Sequence, residues 1–392
     1  SENAMTGIAL GTALMGRRPI MVHMRMDFAI LAMEPLINQI AKWHYMYGGH
    51  MVAPLTVRMI VGRGWGQGPQ HSQALQSWYA HIPGLKVVMP TTAHDVKGML
   101  IAAAEDDSPV IIVEHRWLYG IKGYVPEEMY RVPLDQAAVV RKGKHVTLAS
   151  TSYMTLEALR AADILSEIGI DAEVIDLRTL TPIDKGTLSQ SIKRTGHLVV
   201  CDIGHSGYGV CAEVVAAATE TSFGDLKSAP RRIGLPPVPT PTTPALAEHY
   251  YPRASDIARD AIVALCANAN RPFHGAVCAD LIRPFLARLG EVISEVEGCA
   301  RAVRTTHNRD SSRRQLRIRV QLLDRCIVPG LHSAEVNVAK CLAIEDEFTS
   351  LDTIDVHNSN NRAHNHRELR EAILGELLGR QRCIGRTKCH GL

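Results

Sequence analysis

The sequence predicts an α/β protein with two sheet domains, followed by a tail of different composition. Short apolar runs such as PVIIVE (109–114) are typical of strands buried on both faces of a parallel sheet. Such runs alternate with helical patterns in two successive series before residue 267. A break in composition then falls near Ala267, beyond which 17 Arg stand against 2 Lys and no Trp or Tyr occurs.

The first predicted domain covers residues 1–120. Its runs of β-branched and other apolar residues are too short for helices, and the segments between them carry apolar positions at helical spacing. We predict strands at 19–24, 54–60, 85–90 and 109–114, and helices at 4–15, 29–47, 72–81 and 93–105.

Residues 121–140 are predicted to be a linker. The segment YVPEEMYRVPLD (124–135) contains two prolines, and its apolar residues follow neither helical nor strand spacing. A second domain of ordinary size follows at 141–266. We predict its strands at 145–150, 171–176, 197–202 and 230–234, and its helices at 155–167, 184–193, 209–221 and 254–266.

Composition excludes several classes of partner. The net charge of +3 is small for 392 residues, and the first two thirds carry no basic stripe with interleaved aromatics, so we expect no nucleic-acid partner. No apolar run reaches the ~18 residues of a membrane span, so we expect no membrane partner. Nine cysteines without a tight framework indicate reduced thiols. We expect a cytoplasmic protein, or a mitochondrial matrix protein in a eukaryote.

The tail, 267–392, is rich in Arg and contains six of the nine cysteines. We interpret it as sequence read in the wrong frame, with a genuine but unrelated extension as the alternative. We expect much of it to be disordered.

The start of the chain places Glu2 before two glycines, Gly7 and Gly11, in a helical segment. Glycines four residues apart lie on one helix face and let another backbone approach closely. From this spacing alone, a tight helix contact behind an exposed Glu2 is the favoured interpretation.

A series of longer stretches carries a family resemblance. Taken in order, they resemble the beta subunits of thiamine diphosphate-dependent 2-oxoacid dehydrogenases of the pyruvate dehydrogenase type. The resemblance implies a transketolase-like pyrimidine-binding domain and a transketolase C-terminal domain. Relatives carry a strand and a helix before the position of Glu2, so we expect the chain to be truncated at its N-terminus. The stretches are GRRPI (16–20), INQIAKWHYMYGG (37–49), HSQ (71–73), PGLKVVMP (83–90), EVIDLRTLTPID (173–184) and KRTGHLVVCD (193–202).

The resemblance implies three site residues. Glu2 matches the carboxylate that contacts N1′ of the cofactor's aminopyrimidine and so helps this ring to accept a proton. Phe28 matches an aromatic residue that stacks on the same ring, the alternative being an ordinary core position. His71 matches the catalytic histidine, the alternative being a capping or packing residue. The glycine-rich run GRGWGQG (62–68) before it is interpreted as room for substrate and a lipoyl arm.

The resemblance also implies ions and partners. The chain lacks a Gly-Asp-Gly motif followed by Asn-Asn, so we expect a partner alpha subunit to hold the diphosphate and its magnesium in an α2β2 tetramer. A lipoyl-bearing acyltransferase is the second expected partner. Leu55, Ala103, Ala104 and Asp106 match a structural potassium site, although Ser108 replaces the usual Asn. A plain helix-to-strand turn is the alternative there.

The predicted function is oxidative decarboxylation of a 2-oxoacid, pyruvate or a branched-chain acid, with acyl transfer to a lipoyl group. The alternatives are an acetoin-cleaving or transketolase-like thiamine enzyme subunit, or a non-catalytic scaffold.

Overall fold

A computed structural model describes residues 1–267, which all belong to one compact unit of the chain. The predicted tail falls outside this part apart from its first residue, so its proposed origin and disorder stay predictions. Within the described residues, no helix combines the length and the apolar character needed to cross a membrane.

Strands recur along the whole described part of the chain. They are β1 (Ile20–His23), β2 (Thr56–Val61), β3 (Lys86–Val88), β4 (Val110–His115), β5 (Ala138–Arg141), β6 (Val146–Ser150), β7 (Ala172–Asp176), β8 (Thr179–Thr181), β9 (Leu198–His205) and β10 (Arg231–Leu235).

Helices separate most of these strands. They are α1 (Glu2–Leu14), α2 (Met26–Ala29), α3 (Trp43–Met46), α4 (Gln76–Ala80), α5 (Ala93–Glu105), α6 (Tyr153–Glu167), α7 (Lys185–Thr195), α8 (Val210–Ser222), α9 (Pro244–Tyr250) and α10 (Ala254–Cys266).

The strands form two mixed sheets. The first has the order β1-β2-β4-β3-β8 and is parallel except for β8, which pairs antiparallel with β3. The second has the order β10-β9-β6-β7-β5 and is parallel except for the edge strand β5. Central strands such as β4 and β6 are buried along their whole length, as the continuous apolar runs predict. These sheets confirm the predicted α/β class.

Two predicted helices differ in the structure. The segment predicted as one helix over 29–47 is divided into short turns, including a π-turn at Pro35–Gln39, because Pro35 has no N–H to continue the hydrogen-bond ladder. The helix predicted over 72–81 begins only at Gln76. Residues 72–75 do not form the predicted first turn, because the N–H of Gln73 donates a hydrogen bond to the side chain of Asp27.

Besides the linker, a shared strand and a buried hydrogen bond connect the two sheet domains. Strand β8 belongs to the second predicted domain, yet it extends the first sheet by pairing with β3. A buried hydrogen bond of 2.8 Å runs from Nε2 of Gln76 in α4 to Oδ2 of Asp202 in β9. These contacts fix the second domain against the region that carries the predicted site.

Candidate active site

The candidate site lies at the carboxyl edge of the first sheet. Neighbouring strands β1, β2 and β4 run parallel, so their last residues and the loops that follow them meet at one edge. Such edges are where ligands bind in open α/β sheets. The segment carrying Phe28 follows β1, and the glycine-rich loop that leads to His71 follows β2.

The structure brings two of the predicted site residues into contact. The rings of Phe28 and His71 meet edge to face, with centroids 5.4 Å apart and an interplanar angle of 87°. Phe28 keeps 37% of its surface exposed, and His71 is also exposed. A partly open aromatic face beside an imidazole is an arrangement that accommodates a flat heteroaromatic ring.

A buried carboxylate that the sequence analysis missed holds this contact together. Oδ1 of Asp27 accepts hydrogen bonds from the backbone N–H of Gln73 at 3.2 Å and from its side-chain Nε2 at 3.0 Å. Asp27 precedes Phe28 in α2, and Gln73 lies two residues after His71. Asp27 therefore ties the two segments of the site to each other. An acid directly before the aromatic residue in MDF (26–28) is the signal that could have revealed it.

Glu2 lies at the start of α1 and is half-buried. Its charge acts on His23, the last residue of β1, whose pKa is lowered by burial and only partly restored by Glu2. Nε2 of His23 has no hydrogen-bond partner within the described residues. The structure therefore places Glu2 beside the end of the strand that leads to Phe28, with a neutral imidazole next to it.

The glycine face of α1 is open, so the tight helix contact favoured by spacing alone is not formed within the described chain. A Cβ atom added to Gly7 or Gly11 would meet nothing within 4 Å. Met5 and Ile8 on the same helix, and Met15 directly after it, are also exposed.

Three glycines of the glycine-rich loop pack tightly against its neighbours, while the room for substrate and a lipoyl arm stays a prediction. An added Cβ would lie 2.7 Å from the ring of His115 at Gly62, 2.9 Å from Nε of Arg116 at Gly64 and 2.2 Å from Oγ1 of Thr242 at Gly68. These glycines therefore allow the loop to lie directly on its neighbours, which include Thr242 of the second domain.

At the predicted potassium site, protein groups already donate hydrogen bonds to carbonyl oxygens of Leu55, Ala103 and Ala104, and a lysine pairs with Asp106. The carbonyl of Leu55 accepts from the N–H of Val110 at 2.9 Å, and that of Ala103 from the N–H of Asp106 at 3.3 Å. Arg18 donates to the carbonyls of Ala104 (3.4 Å) and Asp106 (2.8 Å), and Lys86 pairs with the Asp106 carboxylate at 2.5 Å. Because two side-chain cations hold the turn after α5, its geometry does not require a metal ion.

Comparisons with known proteins agree with this geometry. Residues 1–122 match the transketolase pyrimidine binding domain, and residues 135–257 match the transketolase C-terminal domain. The beta subunit of acetoin:2,6-dichlorophenolindophenol oxidoreductase from Cupriavidus necator is 42% identical over 258 residues, which cover 66% of this chain and 76% of that protein.

Two further relatives support the same assignment. The mitochondrial pyruvate dehydrogenase E1 component subunit beta-2 of Oryza sativa subsp. japonica is 39% identical, with 67% of this chain and 70% of that protein covered. A solved structure described as a split gene transketolase, inactive beta4 tetramer, matches with a TM-score of 0.58 and 25% identity over 68% of this chain and 82% of its own. The chain belongs to the family of beta subunits of thiamine diphosphate-dependent 2-oxoacid dehydrogenases.

Proposed function

We propose that this chain forms, with an alpha subunit, an α2β2 enzyme that decarboxylates a 2-oxoacid and passes the acyl group to the lipoyl group of an acyltransferase. The observation that carries the proposal is the contact between Phe28 and His71, since it unites a ring-binding and a proton-transferring side chain at the carboxyl edge of the sheet. Pyruvate and branched-chain acids are the proposed substrates to test first. We place the enzyme in the cytoplasm, or in the mitochondrial matrix of a eukaryote.

Each site residue has a role that its position supports. Phe28 would hold the aminopyrimidine ring of thiamine diphosphate, with Glu2 contacting N1′. The bound cofactor would supply the nucleophilic carbon that attacks the oxo group. His71 is exposed beside Phe28 and would move a proton at the substrate oxygen.

The alpha partner is proposed to cover the open face of α1 and to hold the diphosphate and magnesium. Exposed apolar residues next to Gly7 and Gly11 suit a helix that packs closely, and no residue of this chain packs on those glycines in its described part. The full sequence contains no Gly-Asp-Gly motif followed by Asn-Asn to bind magnesium. Potassium at the turn after α5 stays a prediction.

The test is lipoamide-dependent decarboxylation by the full chain assembled with an alpha subunit that carries the magnesium motif. We expect Glu2→Gln and His71→Ala each to lower kcat by about 10²- to 10⁴-fold. Glu248→Gln, an exposed acid in α9, is the matched control and keeps the wild-type rate. Wild-type rates in both site variants would contradict the roles proposed for Glu2 and His71. Tight thiamine diphosphate binding by the isolated chain would contradict the proposal that an alpha subunit is needed to hold the cofactor.

Acetoin cleavage is a second candidate, because a 42% identical relative is named for oxidation of acetoin. The same assembly assayed with acetoin and 2,6-dichlorophenolindophenol separates the two candidates by their kcat/KM ratio. A scaffold without activity would turn over neither substrate.

A further inference from the structure

A strained residue lies in the loop 62–71, which ends at the proposed catalytic residue His71. Trp65 has a φ of +46°, in the left-handed region that a bulky side chain rarely adopts. Its side chain is 86% exposed, so burial of the indole does not impose this conformation. A residue strained in this way persists only where the surrounding structure holds it, so contacts from other elements must fix the loop.

Arg63, the second residue of this loop, is held both by its backbone and by its side chain. Its carbonyl accepts a hydrogen bond of 2.7 Å from Nε1 of Trp117, and its Nη2 donates to the carbonyl of Thr242. Trp117 follows β4 of the first sheet, whereas Thr242 lies between β10 and α9 in the second domain. The two domains therefore bind the same residue of the loop from two sides.

The second domain also holds Trp117 in place. The rings of Tyr153 and Tyr251 meet the indole edge to face, with centroids 4.9 Å and 5.0 Å away. The guanidinium of Arg253 lies over the same indole, 5.4 Å from its centroid. All three residues belong to the second domain, so both hydrogen bonds of Arg63 depend on that domain, one directly and one through Trp117.

Thr242 contacts the loop at a second point. A Cβ atom added to Gly68 would lie 2.2 Å from Oγ1 of Thr242, so the loop backbone lies directly on this side chain. Thr242 belongs to the segment PTPTTP (239–244), whose three prolines restrict its backbone. A stiff segment of the second domain therefore supports the loop at both Arg63 and Gly68.

Further hydrogen bonds lead from Arg63 along the loop to His71. The N–H of Gln67 donates to the carbonyl of Gly64, directly after Arg63, at 2.7 Å. The carbonyl of Gln67 in turn accepts from Oγ of Ser72 at 3.3 Å. Ser72 is buried and follows His71 in the chain. A displacement of Arg63 is therefore passed on to the backbone that carries His71.

We infer that Arg63 is a positioning residue through which the second domain fixes the loop 62–71 and, with it, the imidazole of His71. The inference rests on the catalytic role proposed for His71. It gives the second domain a part in the reaction, although no proposed site residue lies there. A side chain that transfers a proton must lie within hydrogen-bond reach of its target. Displacement by about 1 Å can cost about 100-fold in rate, so a loosely held loop lowers kcat.

The experiment separates the hydrogen bonds of Arg63 from its charge. Trp117→Phe removes the Nε1–H donor, keeps an aromatic ring and changes no charge. Arg63→Met removes the donor to Thr242 together with the charge, whereas Arg63→Lys keeps both a donor and the charge. Trp78→Phe is the matched control, because Trp78 is an exposed residue of α4.

Steady-state kinetics of the reconstituted assembly test the effect on the reaction. We expect Trp117→Phe and Arg63→Met each to lower kcat by about 10- to 100-fold, while KM and the affinity for thiamine diphosphate keep their wild-type values. Arg63→Lys should recover most of the rate, and Trp78→Phe should have the wild-type kcat.

Hydrogen–deuterium exchange of the same assembly reports the order of the loop independently of activity. The N–H groups of Gln67 and His71 donate to carbonyls within the loop, at 2.7 Å and 3.2 Å. These amides should exchange about 2- to 12-fold faster in Trp117→Phe and Arg63→Met than in the wild type, the factor for loss of one hydrogen bond. Their exchange should be unchanged in Trp78→Phe.

Three results would overturn the inference. Wild-type exchange in Trp117→Phe would mean that this hydrogen bond does not hold the loop, and faster exchange with a wild-type kcat would mean that the position of the loop does not affect the reaction. A low kcat in Arg63→Met alone, with Trp117→Phe like the wild type, would assign Arg63 a role through its charge instead.

The inference stays testable if a variant or the proposed function fails. If Trp117→Phe does not fold, Arg63→Met and Arg63→Lys decide by exchange, because only the lysine keeps a donor for Thr242. If the wild-type assembly turns over neither a 2-oxoacid nor acetoin, the proposed function is wrong. The exchange comparison then still decides whether Arg63 fixes the loop that carries His71.

Discussion

The ring of His71 stands at 87° to the ring of Phe28, with 5.4 Å between their centroids. This contact leaves 37% of the surface of Phe28 exposed, and stacking on a second flat ring requires such access. We predict that Phe28→Ala weakens thiamine diphosphate binding by about 2- to 12-fold, as expected for loss of about 0.5–1.5 kcal/mol of ring interaction. Calorimetric titration of the reconstituted assembly measures this. Phe28→Tyr keeps the ring and should bind as the wild type does, whereas equal loss in both variants would contradict stacking.

Asp27 is predicted to position His71 rather than to contact substrate. Asp27→Ala removes the acceptor for both donors of Gln73, so His71 should lose its fixed place and kcat should fall by about 10-fold or more. Asp27→Asn keeps an acceptor oxygen and should recover most of the rate. Steady-state kinetics provide the comparison, with far-ultraviolet circular dichroism to establish folding. Equal rates in Asp27→Ala and the wild type would exclude a positioning role.

Much of the fold could be predicted because burial in parallel sheets leaves a local signature. The run 109–114 predicts β4 closely, and the helix predicted at 93–105 ends where α5 ends. Strand β8 could not be predicted, since three residues that pair with a strand almost a hundred positions earlier carry no periodic pattern of their own. The helix predicted at 72–81 was too long because a tertiary hydrogen bond from Gln73 to Asp27 overrides local preference.

The candidate site, too, could be predicted only in part from the sequence. The family resemblance implies Glu2, Phe28 and His71 as site residues, and of these the structure shows Phe28 and His71 in contact, while their roles stay predictions. The hydrogen bonds between Asp27 and Gln73 could not be predicted, because these residues are 46 positions apart and meet only where the segments after β1 and β2 come together.

Gly84 is predicted to be irreplaceable for reasons of conformation and space. Its φ of +102° disfavours any side chain, and an added Cβ would lie 1.8 Å from the backbone oxygen of Ala41. We expect Gly84→Ala to lower the free energy of unfolding by at least about 1–3 kcal/mol, the range for one strained residue. Urea denaturation measures this. Gly120→Ala is the control, because no atom of residues 1–267 would lie within 4 Å of its added Cβ, and equal stability of the two variants would contradict the clash.

Asp202 is predicted to couple the two domains. Its buried carboxylate accepts from Gln76 at 2.8 Å, from Thr151 at 2.5 Å and from the N–H of Gly204 at 3.0 Å. Asp202→Ala leaves these donors unpaired and should cost about 3–5 kcal/mol, whereas Gln76→Ala removes one of the three and should cost about 1–3 kcal/mol. A double-mutant cycle measured by urea denaturation should be non-additive by at least about 0.5 kcal/mol. Additive losses would mean that the hydrogen bond between the domains contributes nothing.

Asp176, at the end of β7, is predicted to make stability depend on pH. Burial raises the pKa of its carboxyl to about 7, and the nearby charge of Asp95 adds to this effect. The folded protein therefore holds this proton at pH values where the unfolded chain has released it. Stability should fall by up to about 1.4 kcal/mol per pH unit as the pH rises from about 4 to 7, and the contribution should level off above that.

Replacement by a neutral isostere isolates this contribution from the other titrating groups. Asp176→Asn cannot ionise, so its free energy of unfolding should increase relative to that of the wild type as the pH rises from about 4.5 to 7.5. Urea denaturation across this range measures the difference at each pH. Asp135→Asn, at an exposed position of the predicted linker, should show no such trend. A constant difference between Asp176→Asn and the wild type would mean that the carboxyl titrates at its ordinary value in the folded protein, because only a shifted pKa links proton release to unfolding in this window.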